Sequence, residues 1–401
     1  MNFHHIHFYV DDAIAWRQWF HHRFAMHWIQ SIQGDRTQTE VLQTAHIRIV
    51  LSSPRHPDSP VFSYLTHHPP GVADVAFQVS QIDVVVQQAS LNAAVMLQPI
   101  QAHASTQQRW AILQGWGDLT HTLLDSEAQS GAKTPLSHNE PTWDFLPLFN
   151  TRFQEQGQIT YSSSRQTQPI PAQAIAPKQD CPSQPSGQLT HIDHAVLNVE
   201  FGDLSRAIAW YESVLGFQRQ QQFLIQTPTS GLTSQVLIHP EGNAQFPINE
   251  PTSNNSQIQE FLDIHRGAGI QHIAFHSHQI VQTVATLRQR GLTFLPVPTN
   301  YYDQLKYRHS IEKTTVDWEA IAQQQVLVDW DEENSPAMLL QIFTTPIFRQ
   351  PTFFFEIIER QSYCEKSQCL KAQGFGEGNF RALFEAIEQE QIKRGNLIRE
   401  S

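Results

Sequence analysis

The chain has 401 residues, 40% hydrophobic and 16% charged, and a formal net charge of −12 from 26 basic and 38 acidic side chains. That length suits two or three domains, each able to bury a core, and the composition excludes a disordered chain. No Lys/Arg run or basic helix face stands out, which argues against nucleic acid or an anionic membrane surface as a partner.

The N-terminus, MNFHHIHFYVDD, has neither the basic nor the apolar region of a signal peptide. No apolar run approaches the length of a membrane span. Three sparse cysteines, Cys181, Cys364 and Cys369, imply no disulfide framework and fit a reducing cytosol, with Cys364 and Cys369 read as free thiols. A soluble, cytoplasmic protein is expected.

The opening segment, HHIHFYVDDAIAWRQWFHHRFAMHWIQ, predicts a strand, a polar break, an amphipathic helix and a second strand. Near residue 71, GVADVAFQVSQIDVVVQQA predicts a Gly-led strand followed by a helix. Residues 128–188 are rich in Gln, Ser, Pro and Thr, lack apolar periodicity and read as a linker. The pattern then restarts. HIDHAVLNVEFGDLSRAIAWYESVLGFQRQ parallels the first segment and GIQHIAFHSHQIVQTVATL the second, which predicts a duplicated domain, 1–127 and 189–401. At the C-terminus, GFGEGNFRALFEAIEQEQIKRG predicts a Gly-rich turn and a helix carrying Phe380, Leu383, Phe384 and Ile387 on one stripe. Such a helix either packs on its own core or covers a site as a lid. Without a Lys or a strand before it, the turn is not a phosphate loop.

Three polar side chains interrupt apolar strands: His194 in IDHAVLNV, His272 in GAGIQHIAF and Glu356 in PTFFFEIIER. A lone strand histidine is usually a satisfied core residue. An unpaired buried carboxylate costs several kcal/mol or becomes neutral, and a metal ion shared with two imidazoles removes all three burial problems. Two His and one carboxylate suit non-haem Fe(II) and O₂. A zinc hydrolase uses a similar set, but no HExxH helix is present. Spacing by itself leaves a metal site and ordinary burial level.

From residue 189 to 394 the chain resembles the 4-hydroxyphenylpyruvate dioxygenase family, through HIDHAVLNV, SGLTSQVL, PINEP, SQIQEFLD, GAGIQHIAF, LLQIFTTP, PTFFFEIIER and GFGEGNFRALFEAIEQEQ in that order. The N-terminal half resembles it more weakly, through GVADVAFQV and FLPLFN. The resemblance implies an α+β fold: two vicinal-oxygen-chelate (glyoxalase/bleomycin-resistance-like) domains of paired βαβββ modules, each an open barrel-like sheet, with a C-terminal lid helix. It implies one Fe(II) per subunit on His194, His272 and Glu356. Polar positions at Ser234, Asn249, Gln257, Gln271 and Gln341 would serve the phenol and the keto acid. Pro247, Phe343, Phe354, Phe375, Phe380, Leu383 and Phe384 would wall the ring. The implied reaction takes 4-hydroxyphenylpyruvate and O₂ to homogentisate and CO₂, for tyrosine catabolism or prenylquinone biosynthesis, in a dimer or tetramer.

The nearest alternative is a 4-hydroxymandelate synthase, although Pro247, Asn249 and Phe343 look more like the dioxygenase. A non-catalytic aromatic-acid binder is the other. In the first repeat His7 matches His194, Asp74 stands opposite His272, and HTLLDSEA offers no equivalent Glu. That copy is expected to be non-catalytic. The family usually carries Gly-Asp-Arg before its last ligand strand. Here TTPIFRQPT places Phe348 and Gln350 there.

Overall fold

Strands form where apolar side chains recur at alternate positions, and helices where they recur at three and four. The computed structural model describes residues 1–103, 106–126, 189–297, 299–305, 317–331, 335–365, 368–372 and 374–395. The expected linker, with Cys181 and FLPLFN, lies outside the described residues. The first copy runs β1 (Asn2–Tyr9), α1 (Ala13–Phe24), β2 (His27–Gln33), β3 (Thr37–Thr44), β4 (Ile47–Pro54), α2 (Pro60–His67), β5 (Gly71–Val79), α3 (Ile82–Leu91), β6 (Met96–Ala102), β7 (Arg109–Gln114) and β8 (Thr120–Asp125). The second runs β9 (Leu189–Asn198), α4 (Leu204–Leu215), β10 (Gln218–Gln226), β11 (Gly231–Ile238), β12 (Gln245–Pro251), α5 (Gln257–His265), β13 (Gly269–Ser277), α6 (Ile280–Gln289), α7 (Thr299–Leu305), α8 (Trp318–Gln324), β14 (Leu327–Asp331), β15 (Ser335–Phe343) and β16 (Phe354–Arg360). A hairpin, β17 (Ser362–Glu365) and β18 (Gln368–Lys371), and the helix α9 (Glu377–Arg394) follow.

Each copy makes one eight-stranded sheet, and the orders are the same: β2-β3-β4-β1-β5-β8-β7-β6 and β10-β11-β12-β9-β13-β16-β15-β14. Each sheet joins two βαβββ modules through an antiparallel pair of their first strands, β1 with β5 and β9 with β13. The expected paired modules are therefore present twice. Local signals set the helix ends. Asp12 caps α1 by accepting from the Ile14 and Ala15 amides, both at 3.0 Å, and α4 stops at Gly216 with φ +75°.

The main core spans both copies. Phe20 and Phe24 of α1 meet Phe355 of β16 at ring distances of 5.8 and 5.1 Å, and Phe24 meets Phe275 of β13 at 5.8 Å. The reciprocal contact brings Tyr211 of α4 to the first sheet, where its hydroxyl lies 3.0 Å from His121 Nε2. Phe348, which departs from the family pattern, is buried in this core, 4.8 Å from the Trp16 ring. The free-thiol reading of Cys364 and Cys369 is overturned. The β17–β18 hairpin places them directly opposite one another and a disulfide joins them, so they give no support to a reducing compartment. Among the described residues, no helix is long and apolar enough to cross a membrane.

Candidate metal centre

Three adjacent strands, β9, β13 and β16, carry His194, His272 and Glu356. Ala274 of β13 pairs with His194 on one side and with Glu356 on the other, which brings the two side chains to one face. His272 lies two residues along β13 and so shares their face. Two bulges re-aim side chains here. The β9–β13 register skips Asp193 and skips Gln271, inserting one extra residue next to each histidine.

The Asp193 bulge turns that carboxylate towards the imidazole of its own neighbour. His194 Nδ1 donates to Asp193 Oδ1 at 2.9 Å, which leaves Nε2 to face inward, 3.2 Å from Glu356 Oε2. His272 Nε2 lies 3.5 Å from the same oxygen. His272 Nδ1 is buried without a hydrogen-bond partner, and the ring stacks instead on Phe354, 4.7 Å away at 19°. Gln341 donates to Glu356 Oε1 at 2.8 Å, so only Oε2 faces the imidazoles. Asn379 of α9 donates in turn to Gln341 Oε1 at 2.8 Å.

Burial works against every charge here, and proximity decides the balance. Burial opposes ionisation of Glu356, but His194 and His272 outweigh it and bring the carboxyl down to about 2. Burial likewise opposes protonation of His194, yet Glu356 and Asp193 raise it above the ordinary histidine value. For His272 burial prevails and the imidazole is lowered. The donor atoms of the three residues all lie within 4.8 Å of one another. Two imidazole nitrogens and one carboxylate oxygen, gathered on one side of an open space, fit a divalent metal ion.

That space opens into a pocket with one polar and one apolar wall, the composition usual for small-molecule sites. His194, His272, Glu356, Ser234, Asn249 and Gln341 supply its polar wall; Pro247, Phe343, Phe375, Phe380 and Leu383 supply apolar wall at the expected positions. Val196, Phe223 and Val236 also line it, without having been singled out in the sequence. Alternation could have found two of them: Val196 follows His194 by two residues, and Val236 follows Ser234 by two. Four expected contacts lie elsewhere. Phe354 backs His272, and Phe384 is buried among Ile225, Leu232, Ile258, Phe261 and Leu262 under α9. Gln257 and Gln271 are buried but do not line the cavity.

The first copy repeats both bulges, at His4 and Ala73. Its register corrects the matching of His7 with His194: Ala76, the counterpart of Ala274, pairs with His5. Asp74 stands at the His272 position, and the β5–β8 register places Thr122 opposite Ala76, where Glu356 stands in the second sheet. Thr120 and Thr122 donate to Asp74 Oδ2 at 2.8 and 3.1 Å. Burial pushes the Asp74 carboxyl up to about 7 and His7 down to about 3.

Residues 191–316 match the Glyoxalase/Bleomycin resistance protein/Dioxygenase superfamily, the class to which the duplicated modules and the strand-borne metal donors point. A triple mutant of 4-hydroxymandelate synthase from Streptomyces coelicolor shares the fold, with a TM-score of 0.72 at 24% identity over 97% of this chain and 98% of that one. The 4-hydroxyphenylpyruvate dioxygenase of Caenorhabditis briggsae is 34% identical over 100% of this chain and 94% of its own length. That of Yarrowia lipolytica is 33% identical over 98% of this chain and 93% of its own. The chain is an enzyme and belongs to the 4-hydroxyphenylpyruvate dioxygenase family.

Proposed function

We propose that this chain converts 4-hydroxyphenylpyruvate and O₂ to homogentisate and CO₂, with one Fe(II) held by His194, His272 and Glu356. The observation that carries this reading is a buried two-His, one-Glu donor set opening onto an aromatic-walled cavity. The names of the full-length relatives support the substrate. When bound, ferrous iron supplies chelation of a 2-oxo acid and one-electron activation of dioxygen.

The chain's own residues bind, orient and exclude water. Phe343, Phe375, Phe380 and Leu383 take the ring between apolar faces. Asn249 Oδ1 is buried without a partner on the cavity wall and accepts the phenol hydroxyl, with Ser234 beside it across the β11–β12 pair. Gln341, held by Asn379, keeps Glu356 from turning. As a lid, α9 closes the cavity so that substrate, rather than water, meets the donor set.

The test is product analysis after anaerobic Fe(II) loading and addition of 4-hydroxyphenylpyruvate and O₂. Homogentisate with one CO₂ per O₂ consumed is expected. 4-Hydroxymandelate would make the chain a synthase of the related kind, and binding without O₂ uptake would make it an aromatic-acid carrier. Removing residues 375–401 should abolish turnover; an unchanged rate would dismiss the lid.

A further inference from the structure

Behind the donor set lies a charged pair that does not line the cavity. Arg360 Nη2 donates to Asp193 Oδ1 at 2.7 Å and Nε donates to Oδ2 at 2.8 Å, with side-chain exposures of 7% and 4%. A pair so buried forfeits its hydration, and it persists where hydrogen bonding is nearly complete. Here Asp193 also accepts from His194 Nδ1 at 2.9 Å. The third arm of the guanidinium reaches the other way: Nη1 donates to the Gly374 carbonyl at 2.6 Å. Its Cζ lies 5.5 Å from the centroid of Phe375, and that ring's centroid is 4.8 Å from that of His194.

Gly374 and Gly376 have φ of +74° and +62°, a conformation that favours glycine, and between them they bend the chain into α9. A Cβ at Gly376 would lie 3.1 Å from Gln341 Oε1, so this root is pressed against the site. Asn379, three residues further on, ties the root to Glu356 through Gln341. Among the described residues the first copy lacks this arrangement: its bulge residue is His4, and the register counterpart of Arg360 is Ser126, just past β8.

We propose that Arg360 is a positioning residue that couples the orientation of His194, through Asp193, to the seating of the α9 root, through Gly374 and Phe375. The imidazole is set for a metal only when the root is docked, and the root docks firmly only when the imidazole is set. This inference rests on the metal reading of His194 given above.

The test uses the metal-free full-length chain titrated with Co(II), whose visible spectrum reports ligand geometry, alongside amide exchange at residues 374–380. Wild type should bind one Co(II), and binding should slow exchange at the root. Arg360→Met and the isosteric Asp193→Asn should each bind Co(II) about 10–100-fold more weakly, with an altered spectrum. In Arg360→Met the root should exchange quickly with or without Co(II). Arg360→Lys, able to pair with Asp193 but not to reach Gly374 as well, should leave the root fast and the Co(II) affinity below that of wild type; wild-type affinity with a fast root would overturn the coupling. Affinity and spectrum unchanged in both Arg360→Met and Asp193→Asn would overturn the inference, as would a Co(II) effect on the root equal in Arg360→Met and wild type. A wild-type chain that takes up no Co(II) overturns the metal reading, and this inference with it.

Discussion

The two copies share strand order and the two bulges beside the site, yet their interiors differ at the three positions that form the donor set. Where the second sheet carries His194, His272 and Glu356, the first carries His5, Asp74 and Thr122. In the second, two imidazoles hold a carboxylate ionised, with Glu356 brought down to about 2. In the first, burial pushes Asp74 up to about 7, and hydroxyls are its hydrogen-bond partners. One scaffold therefore carries a charged donor set in one copy and, in the other, a buried carboxyl held by hydroxyls. Chemistry is placed on the fold and does not come with it.

The sharpest way to break this comparison is to remove its centre. Glu356→Ala should lower turnover of 4-hydroxyphenylpyruvate by at least about a thousandfold, equivalent to about 4 kcal/mol, and should leave less than one metal per chain by elemental analysis. His5→Ala, at the matching position in the first sheet, should leave that ratio at one. A metal content that falls equally in both variants would mean that the copies are not functionally distinct.

A second comparison concerns what the copies share. Phe355→Ala removes the ring on which Phe20 and Phe24 rest and should cost about 3–5 kcal/mol in denaturant unfolding. Because that core spans both sheets, the loss should appear in one transition. Two separated transitions would show that each copy unfolds by itself.

The smallest expected effect is a pH dependence confined to the first copy. Asp74, raised from 3.8 to about 7 by burial, keeps a proton in the folded state that the unfolded chain has released. Its contribution is full below about pH 4 and is lost as the pH rises through about 7. Asp74→Asn should remove that loss. Relative to wild type, the variant should gain about 2 kcal/mol between pH 5 and pH 7; a difference flat across this range would contradict a proton on Asp74.

Much of this was legible because burial makes polar residues conspicuous. Glu356 inside FFFEII and His194 inside IDHAV stand out against apolar neighbours, and the repeat of GVADVAF as GIQHIAF announces the duplication. The bulges were not legible, since a single extra residue only shifts the alternation. That is why His7 was matched with His194: in the run His4-His5-Ile6-His7 the extra residue is itself a histidine, and register alone selects His5. The stripe on α9 divides in a way periodicity does not reveal. Phe380 and Leu383 reach the cavity, whereas Phe384 packs on α5 and β11. Phe223 was overlooked because β10, QRQQQFLIQ, is an edge strand with few apolar residues. The Cys364–Cys369 bond depends on a hairpin whose pairing the spacing alone did not reveal.

The exchange of helices between the copies has a consequence for how the molecule can be divided. With α1 resting on Phe275 and Phe355, and α4 reaching His121, neither sheet finishes its own interior. A fragment beginning at residue 189 would present those two aromatic rings to water and invite self-association. The first copy is thus part of the second's inner lining, and truncation at residue 189 probes stability along with activity.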